Sequence, residues 1–206
     1  MTPKTRCILL DSGCGIKRAL TIFINEPAHK FFGIGAGFFC IFAPNQNLSF
    51  DMALQVGDKA PDFTLRSSEK ELISLKQYRG QNVVVLFFPL AFTGVCTKEL
   101  CQMRDSIADY EQLNAQILAI SVDSVFTLDK WKAEQHFNFP LLSDFNKTVC
   151  KKYDTLYKDF VFEMKGVAKR SAFVIDATGT IRYAEVLENA GEIPNFDAVK
   201  SVLQSL

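Results

Sequence analysis

The sequence predicts an α/β fold with a mixed central sheet flanked by helices. Three observations predict it. Asn82–Phe88 (NVVVLFF) and Gln116–Val122 are continuous β-branched and apolar runs, the pattern of strands buried on both faces. Between them, Val95–Leu113 carries Leu100, Met103, Ile107 and Tyr110 at three- and four-residue steps, which makes one apolar helical face. Late in the chain, Ser171–Asp176 and Thr180–Leu187 are joined through Asp176-Ala-Thr-Gly179, a turn that reads as an antiparallel hairpin.

The other elements follow in order. Phe63–Arg66 and Glu71–Ser74 flank a polar Ser-Ser-Glu-Lys turn and read as a first hairpin. Phe126–Phe137 is an amphipathic helix, Lys147–Tyr153 a short one, and Phe196–Leu206 a closing one. Gly179 can take the positive φ that the late turn needs. Strand–helix–strand–helix, then a hairpin, then a helix, is the order of a thioredoxin-like fold.

The regular pattern begins at Met52, and residues 1–51 show no helical or strand period. Phe31–Ala43 is apolar over 13 residues, whereas a spanning helix needs about 20. Its length suits the core of a signal peptide, with Lys17, Arg18 and Lys30 upstream. However, the preceding segment is long, and no small-x-small cleavage site follows. Phe39 before Cys40 also argues against a lipoprotein site. Residues 1–51 therefore read first as translated sequence upstream of a true start at Met52, and otherwise as a targeting leader or an N-terminal extension, expected to be poorly ordered or loosely attached, and residues 52–206 as the working domain. A start at Met52 favours the cytoplasm; export directed by residues 1–51 is the alternative.

Composition narrows the function. Apolar residues make up 48% and charged residues 22% of 206, with a formal net charge of zero, a folded globular balance. No basic stripe is interleaved with aromatics, which argues against nucleic acid. Cysteines at 7, 14, 40, 96, 101 and 150 are too sparse and uneven for a secreted disulfide scaffold. His29 and His136 are the only histidines, too few for most metal or cysteine–histidine sites. His136 ends a helical pattern and reads as structural.

Chemistry concentrates in Pro89-Leu-Ala-Phe-Thr-Gly-Val-Cys96-Thr-Lys-Glu-Leu-Cys101. The segment leaves a buried strand and enters a helix, so Cys96 falls in the first helical turn. Free N–H groups and the positive end of the helix dipole favour a thiolate there, and the thiolate is the nucleophilic form. Pro89 ends the strand because it has no N–H for the ladder. Thr93 either caps the helix or offers its hydroxyl to a substrate oxygen.

Pro89-x-x-x-Thr93-x-x-Cys96 resembles the active-site signature of the peroxiredoxins, the alkyl hydroperoxide reductase and thiol-specific antioxidant family. The resemblance runs over roughly 54–206. It includes Ala60-Pro-Asp-Phe-Thr, Pro140-Leu-Leu-Ser-Asp144 and Gly166-Val-Ala-Lys-Arg-Ser-Ala-Phe-Val-Ile-Asp176. It implies a thiol peroxidase in which Cys96 becomes a sulfenic acid as it cleaves the O–O bond. It further implies that Thr93 bonds the peroxide and Pro89 shields the site. Arg170 would then favour the thiolate and stabilise charge on the leaving oxygen, and Glu99 would orient that arginine. Read without the family, Arg170 is an exposed charge at a strand start, and Glu99 a carboxylate placed to suit the helix dipole.

The Cys96-x4-Cys101 spacing resembles the bacterioferritin-comigratory branch, where the second cysteine resolves the sulfenic acid. The surrounding residues also resemble the mycobacterial-type one-cysteine branch, in which an external thiol does so. In an intact helix, residues five apart lie about 7.5 Å apart along the axis and roughly 140° around it. Their Cα atoms are then about 8–9 Å apart, beyond the roughly 7 Å limit of a disulfide. A Cys96–Cys101 bond therefore requires the helix to unwind. Cys150 is expected to pack inward. Phe92, Phe160 and Phe162 are candidates for an apolar wall beside the site.

Other functions fit less well. A thioredoxin-like reductase would need Cys-x-x-Cys, which is absent. A metal module would need a third ligand near Cys96 and Cys101. A non-catalytic peroxide sensor or holdase would share Cys96 and differ in turnover. No cofactor motif is present, so none is expected. The expected partners are a peroxide and a thioredoxin-like or other thiol reductant, with a possible homodimer and neither nucleic acid nor membrane.

Overall fold

Strand β3 (Asn82–Phe87) sorts its side chains alternately. Val83, Val85 and Phe87 enter one apolar layer, while Val84, Leu86 and Phe88 enter the other. The structure, a computed structural model, describes residues 53–206. The expectations for residues 1–51 and for a start at Met52 lie outside the described residues, as do Cys7, Cys14 and Cys40.

Around β3 the sheet has seven strands in the order β2-β1-β5-β4-β3-β6-β7. These are β1 (Thr64–Ser67), β2 (Leu72–Ser74), β4 (Ala115–Ser121), β5 (Leu141–Ser143), β6 (Ser171–Ile175) and β7 (Ile181–Val186). β3, β4 and β5 run parallel, while β6 is antiparallel to β3 and β1 to β5. The mixed sheet and both expected hairpins are present. β5 is a strand that periodicity did not predict, because three residues carry too little pattern.

One face is covered by α1 (Gly94–Asp105), α2 (Ile107–Gln112), α3 (Val125–Gln135) and α5 (Phe196–Gln204). Their Leu100, Met103, Tyr110, Trp131 and Val199 are buried against Val84, Leu86 and Ile117. Each such burial contributes about 1.5–3 kcal/mol. Val95–Leu113 is two helices rather than the single one expected. Ser106 leaves the helical region (φ −104, ψ 8), and its N–H donates to Met103 O at 3.2 Å. Asp105 and Ser106 are short polar residues that bond locally and weaken a helix interior.

The opposite face is covered by α4 (Thr148–Lys152) and by irregular chain. A strap at residues 57–63 crosses here. Its Gly57 N–H donates to Ile181 O at 2.9 Å, and Asp58 O accepts from Ile181 N–H at 2.9 Å. Farther on, the Tyr153 hydroxyl donates to Pro61 O at 2.9 Å, and Phe63 is buried. Cys150 packs into this layer, and burial pushes its thiol well up.

Candidate active site

The backbone leaving β3 is held at each step. Phe88 N–H makes a last ladder bond to Ile120 O at 3.0 Å, and the buried Pro89 has no N–H to continue. Ala91 N–H donates to Asp123 Oδ2 at 2.8 Å. Phe92 takes φ 62, a left-handed conformation that non-glycine residues seldom adopt. Thr93 sits at the N-cap of α1, yet its hydroxyl makes no capping bond. It donates instead to Leu90 O at 2.9 Å. The capping alternative is therefore not realised, and the exposed hydroxyl keeps lone pairs to offer.

Cys96 is the third residue of α1 and is 1% exposed. The N–H groups of this first turn have no acceptor earlier in the helix. Arg170 Nη2 donates to Cys96 Sγ at 3.2 Å. A guanidinium and a helix N-terminus together stabilise negative charge on sulfur. Arg170, just before β6, is 1% exposed, so it is not the solvated strand-start charge that residue type alone suggested.

Three groups hold the guanidinium. Nη1 pairs with Glu99 Oε2. Nε and Nη2 both donate to Ala190 O, at 3.4 and 3.1 Å. The Tyr157 hydroxyl steadies the chain leading to Ala190 by donating to Leu187 O at 3.3 Å and Glu188 O at 3.1 Å. Glu99 follows Cys96 by three residues, so both lie on one face of α1. Burial pushes Glu99 up to about 7, and Arg170 only partly opposes this. Its Oε1 is buried without a partner. For Arg170, burial opposes the charge, but Glu99 and Cys96 outweigh it and hold the guanidinium above its ordinary value.

Cys96, Cys101 and Cys150 are free thiols. α1 runs unbroken through Cys96 and Cys101, and Cys101 is half-buried with Sγ 3.8 Å from Gln135 Oε1. Phe92 lies 6.0 Å from the Trp131 ring. Phe160 packs 5.0 Å from Tyr157, whereas Phe162 is 92% exposed and walls nothing. His136 is an exposed left-handed residue ending α3. Among the described residues, no cluster of three or more His, Cys, Asp or Glu is arranged to hold a metal. No described helix is long and apolar enough to cross a membrane.

A comparison with protein families matches residues 56–184 to the AhpC/TSA family. The chain belongs to this family. It is a peroxiredoxin, a thiol peroxidase. It is 44% identical over 143 residues to alkyl hydroperoxide reductase E of Mycobacterium tuberculosis, covering 68% of this chain and 90% of that one. Mouse peroxiredoxin-2 is 38% identical over 143 residues, covering 64% and 69% of the two chains. Among solved structures, peroxidoxin BcpB from Mycobacterium tuberculosis superposes with TM-score 0.65 at 27% identity, covering 74% of this chain and 98% of that one. A mutant of PrxQ from Xylella fastidiosa gives TM-score 0.67 at 28% identity, covering 75% and 98%. These likenesses agree with the thioredoxin-like fold expected from the order of elements.

The structure brings Cys96, Glu99 and Arg170 into contact, with Pro89 and Thr93 on the loop before them. Three further groups at this peroxiredoxin's site were not foreseen: Asp123, the Ala190 carbonyl and Tyr157. Of these only Asp123 leaves a trace in sequence, as an acid just past the carboxyl end of a buried strand, where α/β proteins build their sites.

Proposed function

We propose that this peroxiredoxin reduces hydrogen peroxide and organic hydroperoxides through Cys96. The observation that carries the reading is the buried Arg170 donating to Cys96 Sγ at 3.2 Å while paired to Glu99. The thiolate attacks the peroxide oxygen that bears hydrogen. An S–O bond forms, the O–O bond breaks, and the departing oxygen takes a proton to leave as water or an alcohol. Thr93 accepts a hydrogen bond from the attacked oxygen's O–H. Arg170 faces the charge that develops on the leaving oxygen, where fixed donors matter most. Pro89 excludes water behind the sulfur, and Glu99 aims the arginine.

The product is a Cys96 sulfenic acid. Cys101 resolves it once α1 unwinds, releasing water and forming a disulfide. A thioredoxin-like dithiol then reduces the disulfide. The five-residue spacing and the half-buried Cys101 support this order. The peroxidase domain spans residues 52–206, acts as a homodimer and works in a reducing compartment such as the cytoplasm.

Reduced wild type and Cys101→Ser, mixed with limiting hydrogen peroxide, test the scheme by intact mass and thiol titration. Loss of two thiols in wild type, with a sulfenic or over-oxidised Cys96 in the variant, supports it. A sulfenic acid in both makes the enzyme one-cysteine. No oxidation in either sinks the peroxidase reading. Sustained consumption with a reductase, rather than one oxidation event, separates an enzyme from a sensor.

A further inference from the structure

We infer that Asp123 is a positioning residue that sets the direction of the Thr93 hydroxyl through a single peptide group. The inference rests on the peroxide-binding role proposed above for Thr93. Leu90 C=O and Ala91 N–H belong to the same peptide unit. That unit is planar and trans, so the two groups point in opposite directions. Its N–H is held by Asp123 Oδ2 at 2.8 Å, and its carbonyl accepts from Thr93 Oγ1 at 2.9 Å. Fixing one end fixes the other.

A threonine hydroxyl has one proton and two lone pairs. With the proton committed to Leu90 O, the Thr93 oxygen can meet a substrate only as an acceptor. A peroxide O–H needs that polarity. A carboxylate drawing on the N–H also strengthens the carbonyl of the same peptide as an acceptor, which deepens the commitment.

The anchor is itself secured. Ser121 Oγ donates to the same Oδ2 at 2.9 Å and accepts from Asp123 N–H at 2.9 Å. Ser143 Oγ donates to Asp123 O at 2.6 Å. The carboxylate therefore stands on the adjoining ends of β4 and β5, and the loop takes its register from the sheet. The left-handed Phe92 lies between this anchor and α1. A backbone so seldom populated needs both ends fixed.

The test compares Asp123→Ala and Asp123→Asn with wild type in two reactions of Cys96. Oxidation by hydrogen peroxide uses Thr93; alkylation by iodoacetamide uses the sulfur alone. Asp123→Ala is expected to slow oxidation about ten-fold or more, as small misplacements at reacting groups do, and to leave alkylation within about two-fold. Asp123→Asn keeps an acceptor oxygen and is expected to restore oxidation to within about three-fold of wild type. Unchanged oxidation in Asp123→Ala overturns the inference. So do equal losses in both reactions, or an Asn variant as slow as the Ala variant. If Asp123→Ala does not fold, Ser121→Ala and Asp123→Asn carry the same comparison. If wild type itself fails to react with peroxide, the peroxidase reading falls. The anchor is then judged by hydrogen exchange at Ala91, expected faster in Asp123→Ala; unchanged exchange overturns it.

Discussion

Replacing Glu99 by glutamine isolates one titration. The folded chain holds the Glu99 proton up to about pH 7, against a reference of 4.5. Between those values the folded state binds more protons than the unfolded one, so stability falls as pH rises through the window and levels off above it. At about 1.4 kcal/mol for each pH unit, the gap from 4.5 to about 7 comes to about 3 kcal/mol. Glu99→Gln lacks this loss. Urea unfolding of both proteins under reductant, from about pH 4.5 to pH 8, should show wild type losing about 3 kcal/mol more than the variant. Parallel curves would refute the reasoning. They would mean that the Arg170 ion pair outweighs burial and keeps Glu99 charged throughout.

Arg170→Lys keeps the charge, but one ammonium cannot reach Cys96, Glu99 and the Ala190 carbonyl together. Stopped-flow oxidation of Cys96 should slow about 100-fold while circular dichroism stays unchanged. Tyr110 Oη is buried without a partner, so Tyr110→Phe should raise stability by about 1 kcal/mol in denaturant unfolding. A comparable loss would reveal a partner for the hydroxyl. Asp144 accepts from Thr148 N and Oγ1, Val149 N and Cys150 N. Asp144→Ala should therefore cost about 2–4 kcal/mol in the same assay.

The two long buried strands were readable because apolar residues fill both faces of the chain, and Cys96 because strand, proline and helix start lie close together. The joint at Ser106 was not. Asp105 and Ser106 fall on the solvent side of a continuous helical pattern, and nothing in that pattern marks a break. By residue type alone Arg170 looked like a surface charge, because its partners Cys96 and Glu99 are 74 and 71 residues away; only the family resemblance pointed to it. Asp123 acts on the backbone of Ala91, 32 residues earlier, and a backbone partner carries no residue code. Sequence thus marked Cys96 more plainly than the groups packed around it.

The strap at residues 57–63 has a consequence in time. Its acceptor and donor on β7 belong to Ile181, so a chain emerging from the ribosome cannot close its second layer until the last strand is made. Domains complete their folding only when such distant segments are available. Over the same interval Cys96 is already synthesised, whereas Arg170 arrives 74 residues later. The nascent protein therefore carries Cys96 for some seconds without the guanidinium that bonds its sulfur, and the thiol gains its full setting only as synthesis nears its end.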